Sequence, residues 1–337
     1  FSELKRDCHG IAAQIVKKVE ARNSVVGVFL KKSYSLVAAD LAITASGCAY
    51  MNLDYKSPLE RIRAIISNVK PVLIITDGHG AKTLAGISKE ILPQLIVLDG
   101  GKIEESTDSL EAQLRKCRRN IIDTDPYCLI NTSGSTGTPK AVVLNHRSFV
   151  DFITWSSFEF DFDGSEIMGS LSPAIFDIFS YELCLLSFEG AALCLIDDQL
   201  SPFPAKILEI VEEQRVNFIF WVPTIMVNML NLGLLERFSL PDLKMVWFAG
   251  EVFPTVSFNK WFDRLPNAKF VNLYGPIEIT LDCTYHLVSS RIDDNKPIPM
   301  GVGCKNTSLI VLNEDDSETI DGNVGELCVR GTSLAMG

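Results

Sequence analysis

Asn131-Thr-Ser-Gly-Ser-Thr-Gly-Thr-Pro-Lys140 stands between two apolar runs, Tyr127-Cys-Leu-Ile130 and Ala141-Val-Val-Leu144, each of which reads as a buried strand. The ten residues hold two glycines, five hydroxyl side chains, one proline and one lysine. Glycine lets the backbone turn its N–H groups toward an anion, hydroxyls add donors, and lysine adds charge. That composition suits a triphosphate. The spacing Gly-x-x-x-x-Gly-Lys-Ser/Thr is absent, and a strand rather than a helix follows Lys140, so this is not a Walker loop. Ser/Thr/Gly/Pro clusters are usually plain surface turns. Here the order from Thr132 to Lys140 favours a phosphate grip.

Outward from this loop, strands and helices alternate. An amphipathic helix is predicted over 3–22, with Leu4, Cys8, Ile11, Ile15 and Val19 on one stripe. Strands are predicted at 25–30, 72–76 and 95–98, and helices at 34–46 and 57–69. The latter helix is expected to start from a capping box, with Ser57 as N-cap, Pro58 at the first position and Glu60 reaching back. Residues 100–124 read as an exposed polar connection. Beyond the loop, helices are expected near 146–157, 176–187, 205–214, 224–234 and 256–264. Strands are expected near 166–171, 191–196, 216–221, 245–248 and 269–273. Continuous apolar strands alternating with helices mean doubly wound, largely parallel sheets. From about 282 the pattern changes to short strands at 284–288, 309–312 and 326–329, which read as a small β-barrel. The fold class is therefore α/β, with a first layer over 1–125, a second over 126–281 and the barrel over 282–337.

Composition narrows the possibilities. The chain has 337 residues, 47% hydrophobic, with a net charge of −11. An acidic chain without a Lys/Arg block is a poor candidate for nucleic acid or an anionic membrane. No apolar segment reaches the ~18 residues needed to span a bilayer. The nine cysteines form no Cys-x-x-Cys pair, and Cys128, Cys184, Cys194 and Cys328 sit in apolar runs. They read as small buried hydrophobes in a reducing, cytoplasmic compartment. The four histidines make no metal-ligand spacing.

Residue for residue from Thr132 to Lys140, the chain resembles the adenylate-forming enzymes: acyl-CoA synthetases, luciferase-like proteins and the amino-acid adenylation domains of nonribosomal peptide synthesis. Two further motifs carry the resemblance. Asn272-Leu-Tyr-Gly-Pro-Ile-Glu278 lies at the end of a predicted strand, where α/β sheets place ligands. Its amide, ring and carboxylate suit a purine and a metal. It resembles the family's Asn-x-Tyr-Gly-Pro-Thr-Glu segment, except that Ile277 replaces a threonine, a hydroxyl that Thr280 partly supplies. Trp247-Phe-Ala-Gly-Glu251 resembles the segment whose backbone lies against adenine.

The resemblance implies ATP and Mg²⁺. Thr132, Ser133, Gly134, Ser135, Thr136, Gly137, Thr138 and Lys140 would grip the phosphates, with Thr136, Lys140 and Glu278 acting in catalysis. Gly250, Glu251, Asn272, Leu273, Tyr274 and Gly275 would hold the base, and Glu278 the metal. The third motif, Ile175-Phe-Asp177, reads either as a helix N-cap or as an acid for a substrate ammonium. In amino-acid adenylation domains an Asp at this place does the latter. The implied pocket then comprises Phe176, Asp177, Ile178, Tyr181, Phe220, Trp247, Ala249, Leu273, Leu281 and Asp282. Three large rings in it imply a small or medium amino acid. The resemblance implies an aminoacyl-adenylate passed to the phosphopantetheine thiol of a carrier protein. An acyl- or aryl-CoA ligase and a non-catalytic nucleotide-binding module are the competing expectations. The family's Tyr-x-Thr-Gly-Asp segment and its C-terminal small domain have no counterpart in these 337 residues.

Overall fold

The computed structural model describes residues 1–98, 108–132, 139–320 and 322–337. The chain divides into two compact units, Phe1–His146 with Pro173–Phe176 and Met336–Gly337, and Arg147–Ser172 with Asp177–Ala335.

In the first unit six strands form one sheet in the order β4-β3-β1-β2-β5-β6. They are β1 (Val25–Phe29), β2 (Ala49–Asn52), β3 (Leu73–Thr76), β4 (Gln94–Val97), β5 (Pro126–Thr132) and β6 (Lys140–Asn145). Pairing is parallel except between β5 and β6, which are antiparallel, with Thr132 opposite Lys140. The strands are apolar at nearly every position, as sheets covered on both faces require. The helices are α1 (Ser2–Val16), α2 (Tyr34–Ala45), α3 (Leu59–Val69), α4 (Gly78–Leu84) and α5 (Asp108–Arg119). On α3, Ile62, Ile65 and Ile66 recur at helical spacing and pack with Phe29, Met51 and Ile74.

Four expectations are corrected here. Helix α1 ends at Val16, so Val19 lies beyond it. The capping box at α3 does not form: the Ser57 hydroxyl donates to Asp54 Oδ2, and Glu60 pairs with Arg63. A turn centred on Asp54 competes for the serine and wins. The stretch expected to be an exposed connection contains α5, with Leu114 fully buried. Glu111, Leu114 and Cys117 recur at threes, which gives an otherwise polar helix one inward face. Finally, β5 and β6 belong to the first sheet, so the change of unit falls after His146 rather than near residue 125.

The second unit holds β7 (Ile167–Ser170), β8 (Ala192–Leu195), β9 (Phe218–Trp221), β10 (Met245–Phe248), β11 (Lys269–Tyr274), β12 (Thr284–Val288) and β13 (Val302–Gly303). Their order is β13-β12-β11-β10-β9-β7-β8. Strands β7 to β11 pair in parallel, while β12 and β13 are antiparallel additions. The helices are α6 (His146–Phe160), α7 (Asp177–Phe188), α8 (Pro204–Glu213), α9 (Pro223–Asn231), α10 (Leu234–Arg237) and α11 (Thr255–Arg264). A core of Trp221, Met226, Phe248, Phe258, Trp261 and Phe270 lies between sheet and helices.

The expected barrel is not found among the described residues. Strand β12 extends the large sheet, and what remains is a two-stranded ribbon of β14 (Thr307–Leu312) and β15 (Glu326–Gly331). Asn306 and Thr332, at the ends of the ribbon, both donate to the carboxylate of Asp151 on α6. Among the described residues no helix is long and apolar enough to cross a membrane.

Asp125, at the foot of β5, ties loops of the first unit together. It accepts hydrogen bonds from Arg22, from Asn23 and from the Ile122 amide. Burial pushes its pKa up, but those donors outweigh burial and hold it below the usual carboxylate range. A depressed folded-state pKa gives stability that is present above the unfolded pKa near ~4 and lost as pH falls through the folded value. Asp125→Asn is therefore expected to lower unfolding stability by about 2 kcal/mol at pH 7. The deficit should shrink toward zero near pH 2, which urea titrations at both pH values would show.

Candidate functional site

In the second unit the carboxyl ends of β9, β10 and β11 lie side by side. The chain leaves β10 through Ala249 and Gly250, the latter at φ +84°, a left-handed turn that suits glycine. The side chain of the next residue, Glu251, is turned back. Its Oε2 accepts from the amide of Thr224 at 2.9 Å and from the Thr224 hydroxyl, capping α9. Only the backbone of 250–251 remains for a ligand.

Strand β11 delivers Asn272, Leu273 and Tyr274. Asn272 Nδ2 donates to the carbonyl of Pro299 at 2.8 Å. That bond fixes the amide's orientation and leaves Oδ1 as an acceptor, which matches an exocyclic amine. The Tyr274 ring is exposed and available for stacking, whereas Leu273, on the other face of the strand, is buried. Gly275 is required by a close approach: a Cβ there would lie 2.4 Å from the carbonyl oxygen of Leu281. The following turn, Ile277–Ile279, exposes Glu278, whose carboxylate has no cationic partner among the described residues. The Glu278 carbonyl accepts from the amide of Ala335 at 2.8 Å. The Thr280 hydroxyl, considered as a stand-in for the threonine missing at Ile277, is buried without a hydrogen-bond partner among the described residues.

Thr280 and Leu281 then both adopt left-handed backbone angles, φ +57° and +60°. For two residues with side chains this is costly. It aims the Leu281 amide at Asp177 Oδ2, 2.9 Å away. Asp177 is the first residue of α7 and is partly buried. Burial raises its pKa, and hydrogen bonds from the Leu281, Asp177 and Ile178 amides oppose that rise. Asp282 is buried, and no described side chain donates to its carboxyl. Its pKa is raised strongly by burial and further by the charge of Asp177. Two acids thus share one region with no cation between them among the described residues. Burying charge this way is unfavourable unless a positive group arrives.

One turn beyond Asp177 on α7, Tyr181 enters an aromatic nest. Tyr181 on α7 stacks on Trp247 of β10 at 5.5 Å, and Phe220 of β9 meets the same indole edge-on at 5.5 Å. All three rings are fully buried, and the Tyr181 hydroxyl is shared with Ser156. The Trp247 indole N–H has no acceptor among the described residues. Ala249 and Leu281 are buried, Ile178 is half-buried, and Phe176 is exposed.

The first unit carries the flanks of the glycine- and hydroxyl-rich loop. Ser133, Gly134, Ser135, Thr136, Gly137 and Thr138 lie outside the described residues. Thr132 and Lys140 close the β5–β6 ladder, and Asn68 Nδ2 on α3 holds the Pro139 carbonyl at 3.0 Å. The Lys140 side chain is exposed, with no carboxylate partner among the described residues. Sequence reasoning missed Asn68, Pro299 and the left-handed pair 280–281. None belongs to a motif, and no propensity marks Thr-Leu as a turn.

A family model described as AMP-binding enzyme matches residues 1–337. The L-proline--[L-prolyl-carrier protein] ligase of Streptomyces coelicolor is 26% identical over 352 residues, spanning all of this chain and 66% of its own length. The D-alanine--D-alanyl carrier protein ligase of Streptococcus pyogenes is 29% identical over 345 residues, spanning all of this chain and 64% of that protein. The chain thus spans just under two-thirds of these curated relatives. A crystal structure of a four-domain nonribosomal peptide synthetase bound to AMP and glycine superposes with a TM-score of 0.82 at 25% identity. The match covers 99% of this chain and 23% of that one.

The acid pair generates a pH prediction. Asp282 has a folded pKa above its unfolded value, so its stability contribution is complete below about pH 4 and is lost as pH rises. Asp282→Asn is expected to match the wild type in unfolding midpoint at pH 4 and to exceed it at pH 8, as thermal melts at the two pH values would reveal.

Proposed function

The chain belongs to the AMP-binding enzyme family, and from that premise we propose that it serves amino-acid activation. As part of its whole protein it joins an amino-acid carboxylate to the AMP portion of ATP and releases pyrophosphate. The aminoacyl group then passes to the phosphopantetheine thiol of a carrier protein. One observation carries the choice of an amino acid over a fatty or aryl acid: Asp177 accepts the Leu281 amide at 2.9 Å, the buried Asp282 is the next residue along, and neither acid has a cationic partner among the described residues. An α-ammonium group supplies the missing charge at Asp177. The rings of Tyr181, Phe220 and Trp247 close the side-chain end, which favours a small or medium amino acid. The nine cysteines form no disulfide among the described residues, which suits a reducing compartment such as the cytoplasm.

The nucleotide's residues take complementary roles in this reading. Asn272 Oδ1 accepts from the adenine amine, Tyr274 stacks on the ring, and the backbone at 250–251, Leu273 and Gly275 bound the base. Thr132 to Thr138 and Lys140 surround the phosphates. Glu278 is the carboxylate for Mg²⁺, an ion commonly held by one carboxylate together with phosphate oxygens. When bound, the metal neutralises charge on the phosphates. The substrate carboxylate attacks the α-phosphorus in line, the bond from that phosphorus to the bridging oxygen of pyrophosphate breaks, and pyrophosphate leaves with the electron pair. The protein needs no covalent intermediate. Its contribution is to align the two reactants and to meet developing negative charge with Lys140.

The test is Mg-ATP-dependent pyrophosphate exchange by the whole protein over amino acids and fatty acids. Exchange with a small or medium amino acid is expected; exchange with fatty acids alone would overturn the reading. Asp177→Ala should cut amino-acid-dependent exchange at least ~100-fold, since removing one partner of a buried charge pair is severe. Equilibrium dialysis should still find ATP bound normally. Lys140→Ala should lower kcat by about 10²–10³ with little change in KM, because donors aimed at developing charge act on the transition state. An unchanged kcat would remove Lys140 from the mechanism.

A further inference from the structure

The first unit buries a carboxyl group that the proposed chemistry does not use. Asp40 lies in the middle of α2 and has no exposed surface. Its Oδ2 accepts from Asn52 Nδ2 at 2.8 Å. The same nitrogen donates to the carbonyl of Ala174 at 3.0 Å, so both amide hydrogens are used. Two atoms are then left over, Asp40 Oδ1 and Asn52 Oδ1, and both are buried with no partner among the described residues. If Asp40 were a carboxylate, both would be bare acceptors in apolar surroundings, one of them charged.

A single proton satisfies both atoms. A carboxylic acid and a primary amide form a ring of two hydrogen bonds, amide N–H to acid oxygen and acid O–H to amide oxygen. We propose that Asp40 is a neutral carboxylic acid that donates from Oδ1 to Asn52 Oδ1, and that this acid–amide pair is a positioning device. It holds the second Asn52 N–H on the Ala174 carbonyl and so fastens the Pro173–Phe176 turn that leads into Asp177. Within the turn the Phe176 amide donates to the Pro173 carbonyl at 3.1 Å. Ala174 is buried while Phe176 is exposed, so the fastening acts at the inner side of the turn.

The surroundings agree. Burial pushes the Asp40 pKa up to about 8, opposed only by the Asn52 hydrogen bond. Among the described side chains, the titratable groups that are not fully exposed on elements packed against α2 include Asp7, Cys8 and His9 on α1, Tyr50 on β2, and Glu111 and Cys117 on α5. Cys48, between α2 and β2, is buried as well. His9 is engaged with Glu111 at 2.6 Å, and burial raises the thiols of Cys8 and Cys48. None of these groups stabilises a charge on Asp40.

Infrared difference spectra of the wild-type chain against Asp40→Asn test the protonation directly. The isosteric amide keeps both hydrogen bonds and cannot ionise. At pH 7 the wild type should show one protonated-carboxyl band that the variant lacks. A difference confined to carboxylate bands would overturn the proposal. Amide hydrogen exchange at residues 174–176 tests the positioning. After correction for intrinsic rates, wild-type exchange should speed up between pH 7 and pH 9 while Asp40→Asn stays flat and Asn52→Leu is fast at both. Equal pH profiles in wild type and Asp40→Asn would refute it.

The fold equilibrium gives a third readout. Asp40 binds its proton more tightly when folded, so its contribution is complete below about pH 4 and is lost as pH rises toward its folded value. Over that span the wild-type folding equilibrium should fall about tenfold per pH unit relative to Asp40→Asn. Parallel curves would sink the assignment even if Asn52→Leu failed to fold.

Discussion

The amide of Leu281 reaches Asp177 only because Thr280 and Leu281 both take left-handed backbone angles. Such angles are unfavourable for residues with side chains, and the surrounding structure must hold them there. Gly275 permits it, since a Cβ at that position would collide with the Leu281 carbonyl oxygen. The Cys283 amide, bonded to the Tyr274 carbonyl at 2.8 Å, closes the same loop. From that strained corner the rest of the second unit's site follows. One acid is oriented by a backbone amide, a second acid follows immediately in the chain, and their mutual repulsion leaves a place that favours a positive group.

The sheet supplies the rigid part. Parallel strands β9, β10 and β11 end together, so residues far apart in sequence share one rim. Trp247 is enclosed by Phe160, Phe162, Tyr181, Phe218 and Phe220, a packing that fixes its ring without using its N–H. On the rim part of each polar group is already committed to structure. Asn272 spends its N–H on Pro299 and keeps its oxygen; Glu251 spends its carboxylate on Thr224 and keeps its backbone. A motif residue is therefore informative only once its other obligations are known.

Much of the fold was legible because its signals are local. Apolar runs of four to six residues gave the strands, and Cys8, Ile11 and Ile15 gave α1 its buried face. Where the reading failed, a competing contact decided. Ser57 preferred Asp54 over the helix end, and a polar segment became α5 by burying Leu114. The short strands after residue 282 looked like a separate barrel because strand length alone does not say which edge a strand joins. Strand β12 found β11. Of the site, the loop composition and the strand-end motifs were readable; Asn68, Pro299 and the 280–281 corner were not.

By itself the sequence determined the alternation of elements, the donor-rich composition between two apolar strands, and the residue types at the strand ends. Those are properties of short stretches, governed by side-chain periodicity, glycine freedom and hydrogen-bonding inventory. Only the tertiary structure decided that Asp282 feels the charge of Asp177, and that Asp40 meets Asn52 and Ala174 out of reach of water. Charge and burial depend on which distant residues share a volume. That is settled when the sheets close over their helices, and no window along the chain contains it.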